Sequence, residues 1–459
     1  MKRILTLLLC LTLLTGISAS PALAAPDWPS NVSVEAEGAI LMDARSGAVL
    51  YGKNLHAVYY PASITKILTA LIVIEHCNLD DVVTFSHDAI YSVEQGSSSA
   101  GMDVGDKMTV RDCLYAMLLK SANEVANALA EHTAGSIKNF AVLMNAKAKE
   151  LGCQESHFNN PSGLNDPQHY TSAYDMALIA QAAFQNETFV TIDSSLYYDL
   201  PPTRHNPDGF RVYPGHRMLK KNAPQYYAGV IGGKTGYTSI ALNTLVNGAR
   251  QGDTTLITVI LHSNNTQYED TSRLLDFGFN NFQSVKIADY DQTFSNIGKD
   301  LKIADVSTAG GESLSIDPDS RVVLPKTADF SETTTSFDYE IPAGAPDGTI
   351  ACVTYSLGDH KVGQAYLTLT DSSQTAADIP EKLVSQAATA AAQDSSDTAL
   401  SNGSSEVLPL SNPPESAANQ ENSSTGKSFG QLFHISVRVP PAFIAALTAI
   451  LVVIGAVTA

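Results

Sequence analysis

The chain has 459 residues, of which 44% are apolar, which is too long for one ordinary domain and rich enough to build a sizeable core. Asp and Glu outnumber Lys and Arg by 47 to 28, a formal charge of -19, so the electrostatics of nucleic-acid binding are excluded. Four cysteines beyond the first segment, Cys77, Cys113, Cys153 and Cys352, follow no metal-ligand spacing and are too few for a disulfide framework. Buried thiols fit them best, with one disulfide chemically permitted. Nothing in the sequence asks for a metal or a cofactor.

In chain order, Lys2 and Arg3, the apolar run Ile4 to Leu14 and small residues ending at Ala22-Leu23-Ala24 read as a secretion signal, residues 1–24, cleaved after Ala24. Gly38 to Asp43 and Ala48 to Tyr51 predict two strands about a turn. Pro61 to Ile74 holds no Gly, and no Pro after the first position, and predicts a helix apolar on nearly every side, suited to the centre of a domain. Within it Ser63 and Lys66 are three residues apart, so hydroxyl and amine share one face. A buried Lys beside another cation loses its proton readily and can activate a serine nucleophile. Alone, Ser-x-x-Lys is more often a solvated pair.

Thr109 to Leu119 and Val125 to His132 predict two further helices separated by Ser121-Ala122-Asn123, where Ser121 could simply cap the second helix. Residues 137–152 and Tyr174 to Phe184 are also helical in pattern, with the turn-rich Asn159-Asn160-Pro161-Ser162-Gly163-Leu164 between them. Gly232-Gly233-Lys234-Thr235-Gly236-Tyr237 opens a region of paired strands, Asn243 to Ala249 and Thr254 to Leu261. Its glycines let the backbone approach a ligand, and a strand edge there suits an extended peptide. Past Phe282 the pattern becomes short β-like runs, residues 283–375. Residues 376–438 are Ser-, Ala-, Asn- and Gln-rich and predict a disordered linker. Residues 439–459 carry no charge and are long enough to cross a bilayer as a helix, although no Lys or Arg follows to orient it.

Ser63-x-x-Lys66, Ser121-x-Asn123 and Lys234-Thr235-Gly236 in this order form the triple of class A β-lactamases and penicillin-binding proteins. With Pro61-Ala62-Ser63-Ile64-Thr65-Lys66, His157-Phe158-Asn159-Asn160-Pro161 and Asp175-Met176-Ala177, the chain resembles the low-molecular-mass penicillin-binding proteins that act as serine-type D-alanyl-D-alanine carboxypeptidases (peptidase S11). That resemblance covers Val34 to Phe282 well. It implies an α/β (α+β) fold: a β-lactamase/transpeptidase-like domain, residues 25–282, with an antiparallel sheet flanked by helices, then a small all-β domain.

The resemblance also implies roles. Ser63 would be acylated by the penultimate D-Ala carbonyl while Lys66 takes its proton, and Ser121 and Asn123 would relay a proton and hold the substrate amide. Lys234, with Thr235 and Gly236 beside it, would bind the terminal carboxylate, and the N–H groups of Ser63 and Tyr237 would form the oxyanion hole. The partners implied are peptidoglycan stem peptides, β-lactams and, through the C-terminal helix, a membrane; nucleic acid is not among them. Two departures stand out: Gln267 occupies the place of a common Arg, with Arg273 further on, and Leu242 that of a common Gly. Two rivals are a β-lactamase using Glu155 for deacylation, which the surrounding residues do not favour, and a non-enzymatic penicillin sensor.

Overall fold

The computed structural model describes residues 27–291, 302–303, 306–307, 312–341 and 345–371. The expected signal segment, linker and C-terminal helix lie outside the described residues. No helix among the described residues is long and apolar enough to cross a membrane.

The first sheet is built from β1 (Gly38–Asp43), β2 (Val49–Lys53), β3 (Val230–Thr238), β4 (Leu242–Gln251) and β5 (Thr254–Ser263), in the order β2-β1-β5-β4-β3. Every pairing is antiparallel. Successive strand residues face opposite sides. Ile40, Met42, Ile257, Val259 and Leu261 therefore join one core, and Ala39, Leu41, Leu256 and Ile260 the other. Helices must cover both faces, which explains the near-continuous apolar runs of β1 and β5.

On the first face lie α1 (Lys66–His76), α2 (Val110–Leu119), α3 (Asn123–Ala134), α4 (Ile137–Glu150), α5 (Ala173–Gln185) and α6 (Glu187–Asp193). α1 sits at the middle, buried from Lys66 through Val73, as its lack of a polar face predicts. α2 starts on a reciprocal capping box between Thr109 and Asp112. α7 (Gln267–Asn281) covers the second face with Leu274, Leu275 and Phe277.

Directly after α7, β6 (Phe282–Lys286) begins a second sheet with β7 (Glu312–Ile316), β8 (Arg321–Pro325), β9 (Thr334–Asp338), β10 (Thr349–Leu357) and β11 (His360–Asp371). Its order is β6-β8-β11-β10-β9, with β7 also pairing with β11. Val322, Leu324, Val353, Tyr355 and Leu367 make its own core. Trp28 stacks at 4.0 Å on His360 of β11, lies 5.0 Å from Phe282 of β6, and packs against both this core and the one beneath α7. Cys77, Cys113, Cys153 and Cys352 are free thiols.

Candidate active site

Ser63 does not sit inside the α-helix that the sequence predicts. Ala62–Thr65 form a single 3-10 turn, and α1 starts at Lys66. The cause is local: Ala62 adopts a left-handed backbone with φ 52, so the chain turns before the helix begins. Pro61 is fixed from outside, its carbonyl accepting the Thr244 hydroxyl of β4 at 2.8 Å. The expected proximity of hydroxyl and amine survives, because Ser63 Oγ lies 3.1 Å from Lys66 Nζ.

Lys66 is 0% exposed. Its amine also donates to the Ser162 carbonyl at 2.6 Å and to Asn123 Oδ1 at 2.7 Å. Burial first, and the Lys234 ammonium second, push Lys66 well below the ordinary lysine range, with Glu124 opposing. An uncharged amine has two N–H donors and one lone pair. Both acceptors take the N–H groups, so the lone pair is left for the Ser63 proton.

Ser121 joins α2 to α3 in a left-handed conformation, φ 64. It is not the cap of α3: Ala122 holds that position and makes no side-chain cap. Ser121 Oγ instead accepts a hydrogen bond from Lys234 Nζ at 3.1 Å. Lys234 is 3% exposed and also donates to the Thr235 carbonyl at 2.8 Å. Burial lowers its ammonium to about 8, against the pull of the Asp193 carboxylate. Asp193, at the end of α6, is itself raised by burial to about 7, and accepts the Gly233 N–H at 2.6 Å.

Gly236 shows why β3 needs a residue without a side chain there. A Cβ would stand 2.8 Å from Ser63 N and 2.4 Å from Thr244 Oγ1, so only glycine lets the strand pass against the turn that carries Ser63. Tyr237, 66% exposed, lies at the rim. Ser63, Lys66, Ser121, Asn123, Lys234, Thr235, Gly236 and Tyr237 thus converge from three separate segments on one cleft.

Several contributors carry no chemical signature in the sequence. Ser162 acts through its backbone carbonyl, and its loop is locked by Asn160 Oδ1, which accepts the N–H groups of Ser162 and Gly163 at 3.2 and 2.8 Å. Glu124 clamps the Ser-rich loop before α2, its Oε1 accepting the Ala100 N–H and the Ser99 hydroxyl, each at 2.7 Å. Asp175 binds the Gln154 and Glu155 amides to α5 rather than facing the cleft.

The departures also resolve. Leu242 has φ 55, the conformation that makes Gly common at the β3–β4 turn. Gln267 Nε2 lies 3.3 Å from Asn243 Oδ1, with its Oε1 buried and unpartnered. Arg273 does not stand in for an Arg at 267, because it faces Asp270 at 3.6 Å. Glu155 turns to His56 at 3.3 Å and to Ser172 Oγ at 3.4 Å, not to the cleft.

A sequence profile described as D-alanyl-D-alanine carboxypeptidase (peptidase S11) matches residues 24–265. The D-alanyl-D-alanine carboxypeptidase DacF of Bacillus subtilis is 34% identical over 307 residues, covering 65% of this chain and 76% of its own length. DacC of Escherichia coli is 33% identical over 290 residues, 60% of this chain and 69% of its own. Among solved structures, penicillin binding protein 5 from Haemophilus influenzae superposes with TM-score 0.61 at 26% identity, covering 75% of this chain and 98% of that one. Penicillin binding protein 6B from Escherichia coli gives TM-score 0.56 at 25% identity, with the same coverage of 75% and 98%.

Proposed function

This chain belongs to the D-alanyl-D-alanine carboxypeptidase family, and from that premise we propose how its cleft performs the reaction and where in the cell it works. It is a serine hydrolase that removes the terminal D-alanine from peptidoglycan stem peptides and is acylated by penicillin. The observation that carries the assignment of roles is the Lys66 amine, which gives its N–H groups to Ser162 O and Asn123 Oδ1 and keeps its lone pair for Ser63 Oγ.

Ser63 Oγ attacks the carbonyl carbon of the penultimate D-Ala as its proton passes to Lys66. Negative charge then develops on the carbonyl oxygen, for which the Ser63 and Tyr237 N–H groups are the donors. The C–N bond breaks, and the departing D-Ala nitrogen takes back a proton through Lys66 and Ser121. An ester on Ser63 remains. Water attacks it with Lys66 again as base, releasing the shortened peptide and the free hydroxyl.

Lys234 supplies the cation for the terminal carboxylate, with Thr235 and Gly236 presenting the strand edge and Asn123 holding the substrate amide. Its charge also disfavours protonation of Lys66. In a β-lactam the leaving nitrogen stays tethered to the acyl group, which slows access of water to the ester.

Residues 1–24 have the composition of a secretion signal and 439–459 that of a membrane anchor. The cleft thereby works at the outer face of the cell membrane, with the second sheet as a spacer. Mass spectrometry of the purified ectodomain with a pentapeptide ending in D-Ala-D-Ala tests the activity: the expected products are D-Ala and a tetrapeptide. A folded protein with Ser63 intact that releases none overturns the assignment.

A further inference from the structure

We propose that His169 is a positioning residue that acts through Thr65 to aim the Ser63 N–H at the oxyanion. This inference rests on Ser63 being the nucleophile. Three contacts in series, the last two fully buried, carry it. The Asn159 N–H donates to His169 Nδ1 at 3.0 Å, His169 Nε2 lies 2.9 Å from Thr65 Oγ1, and Thr65 Oγ1 donates to the Ala62 carbonyl at 2.9 Å.

The direction of this chain is fixed by elimination. A ring nitrogen that accepts a backbone N–H carries the lone pair, so a neutral imidazole holds its hydrogen on the other nitrogen. Nε2–H therefore donates to Thr65, and the Thr65 hydroxyl has its hydrogen free for Ala62. A cationic ring would set an N–H against the Asn159 N–H. Burial holds His169 neutral, pushing it down to about 3, and Phe158 packs against it in a T-shaped pair with ring centres 5.4 Å apart.

The end of the chain is what makes it functional. The Ala62–Ser63 peptide is a rigid plane, with the Ala62 carbonyl at one end and the Ser63 N–H at the other. Holding the carbonyl therefore holds the N–H, and a hydrogen bond to the carbonyl strengthens the N–H as a donor. The Ser63 nitrogen lies against β3 at Gly236, 2.8 Å from where a Cβ there would stand, and Tyr237 is the next residue of that strand. Ala62 needs such a hold, because its φ of 52 is a conformation that residues with a Cβ rarely adopt.

The test follows penicillin acylation of Ser63 by intact-protein mass, separating the first-order acylation rate at saturation from the dissociation constant of the preceding complex. His169→Phe keeps the ring volume and removes the donor; His169→Gln restores a donor at similar reach. His169→Phe is expected to slow acylation about tenfold or more with the dissociation constant unchanged, since losing an oxyanion donor outright costs about a hundredfold or more. His169→Gln is expected to recover most of the rate. The double variant Thr65→Val with His169→Phe should be no slower than Thr65→Val alone, because the two act in series.

Equal losses in the Phe and Gln variants, multiplying losses in the double variant, or an effect confined to the dissociation constant would each overturn the inference. Should His169→Phe not fold, Thr65→Ser against Thr65→Val decides: the hydroxyl-bearing variant keeps its rate if the chain acts as argued, and equal rates overturn it. Absence of any adduct on Ser63 in the wild type would instead sink the assigned nucleophile, so the two failures are distinct.

Discussion

Gly163→Ala tests whether the Ser162 loop sets the geometry of Ser63 and Lys66, the pair proposed to carry the reaction. Gly163 has φ 82, and a Cβ there would stand 1.8 Å from the Ala62 carbonyl oxygen and 2.4 Å from its carbon. Reaching even 3.0 Å, the lower limit of real Cβ contacts, requires a shift of about 1.2 Å in one of the two segments. If the loop moves, the Ser162 carbonyl leaves Lys66 Nζ, now 2.6 Å away. If Ala62 moves, Ser63 moves with it. Misplacement by about 1 Å costs roughly a hundredfold in rate. The left-handed Ala alone costs about 1–2 kcal/mol, which lowers Tm by roughly 2–8 °C.

Gly252→Ala is the control, left-handed at φ 58 with nothing within 4 Å of the added Cβ. It should lose similar conformational stability and keep its acylation rate. Calorimetry measures the first effect and time-resolved penicillin labelling the second. Equal acylation rates in Gly163→Ala, Gly252→Ala and the wild type would refute the reasoning.

Three further outcomes are expected. Gln267→Arg places a cation one strand away from Tyr237, whose register partner is Asn243, and should lower KM for the peptide several-fold with little change in kcat, read from D-Ala release. Glu155→Ala should leave the slow turnover of penicillin unchanged, since its carboxylate faces His56; a lost turnover would restore the β-lactamase reading. Asp193→Asn keeps an acceptor for the Gly233 N–H and removes the charge that raises Lys234, so the alkaline limb of the pH–rate profile should move to lower pH.

The sequence carried the helix α1 because eight consecutive residues from Lys66 are buried and nearly all are apolar, leaving no polar face to misread. The cleft was legible because Ser63, Lys66, Ser121, Asn123 and Lys234 are chemically distinctive side chains. Ser162 and Ala62 were not, since both contribute backbone atoms, and backbone chemistry is the same in every residue. His169 and Asp193 were missed for a different reason. Each works through one neighbour that lies far away in sequence, Thr65 across 104 positions and Gly233 across 40. No local spacing records such a pairing. The helix starts about one turn later than the apolar pattern predicts because the left-handed Ala62 is imposed by tertiary contacts: Gly163 packs against its carbonyl, and Thr65 and His169 hold it.

The rate constant for acylation of Ser63 by penicillin, followed across the pH range, tests most directly whether an uncharged Lys66 beside a charged Lys234 drives the chemistry. Below its lowered pKa Lys66 is protonated and cannot accept the Ser63 proton, so the rate should rise through a pH well under the ordinary lysine range. Above about 8 Lys234 loses the charge that binds the carboxylate, so the rate should fall again. A bell with its alkaline limb near pH 8 is the expected result. A rate that climbs without a maximum to about pH 10, the ordinary range for a lysine amine, would contradict it.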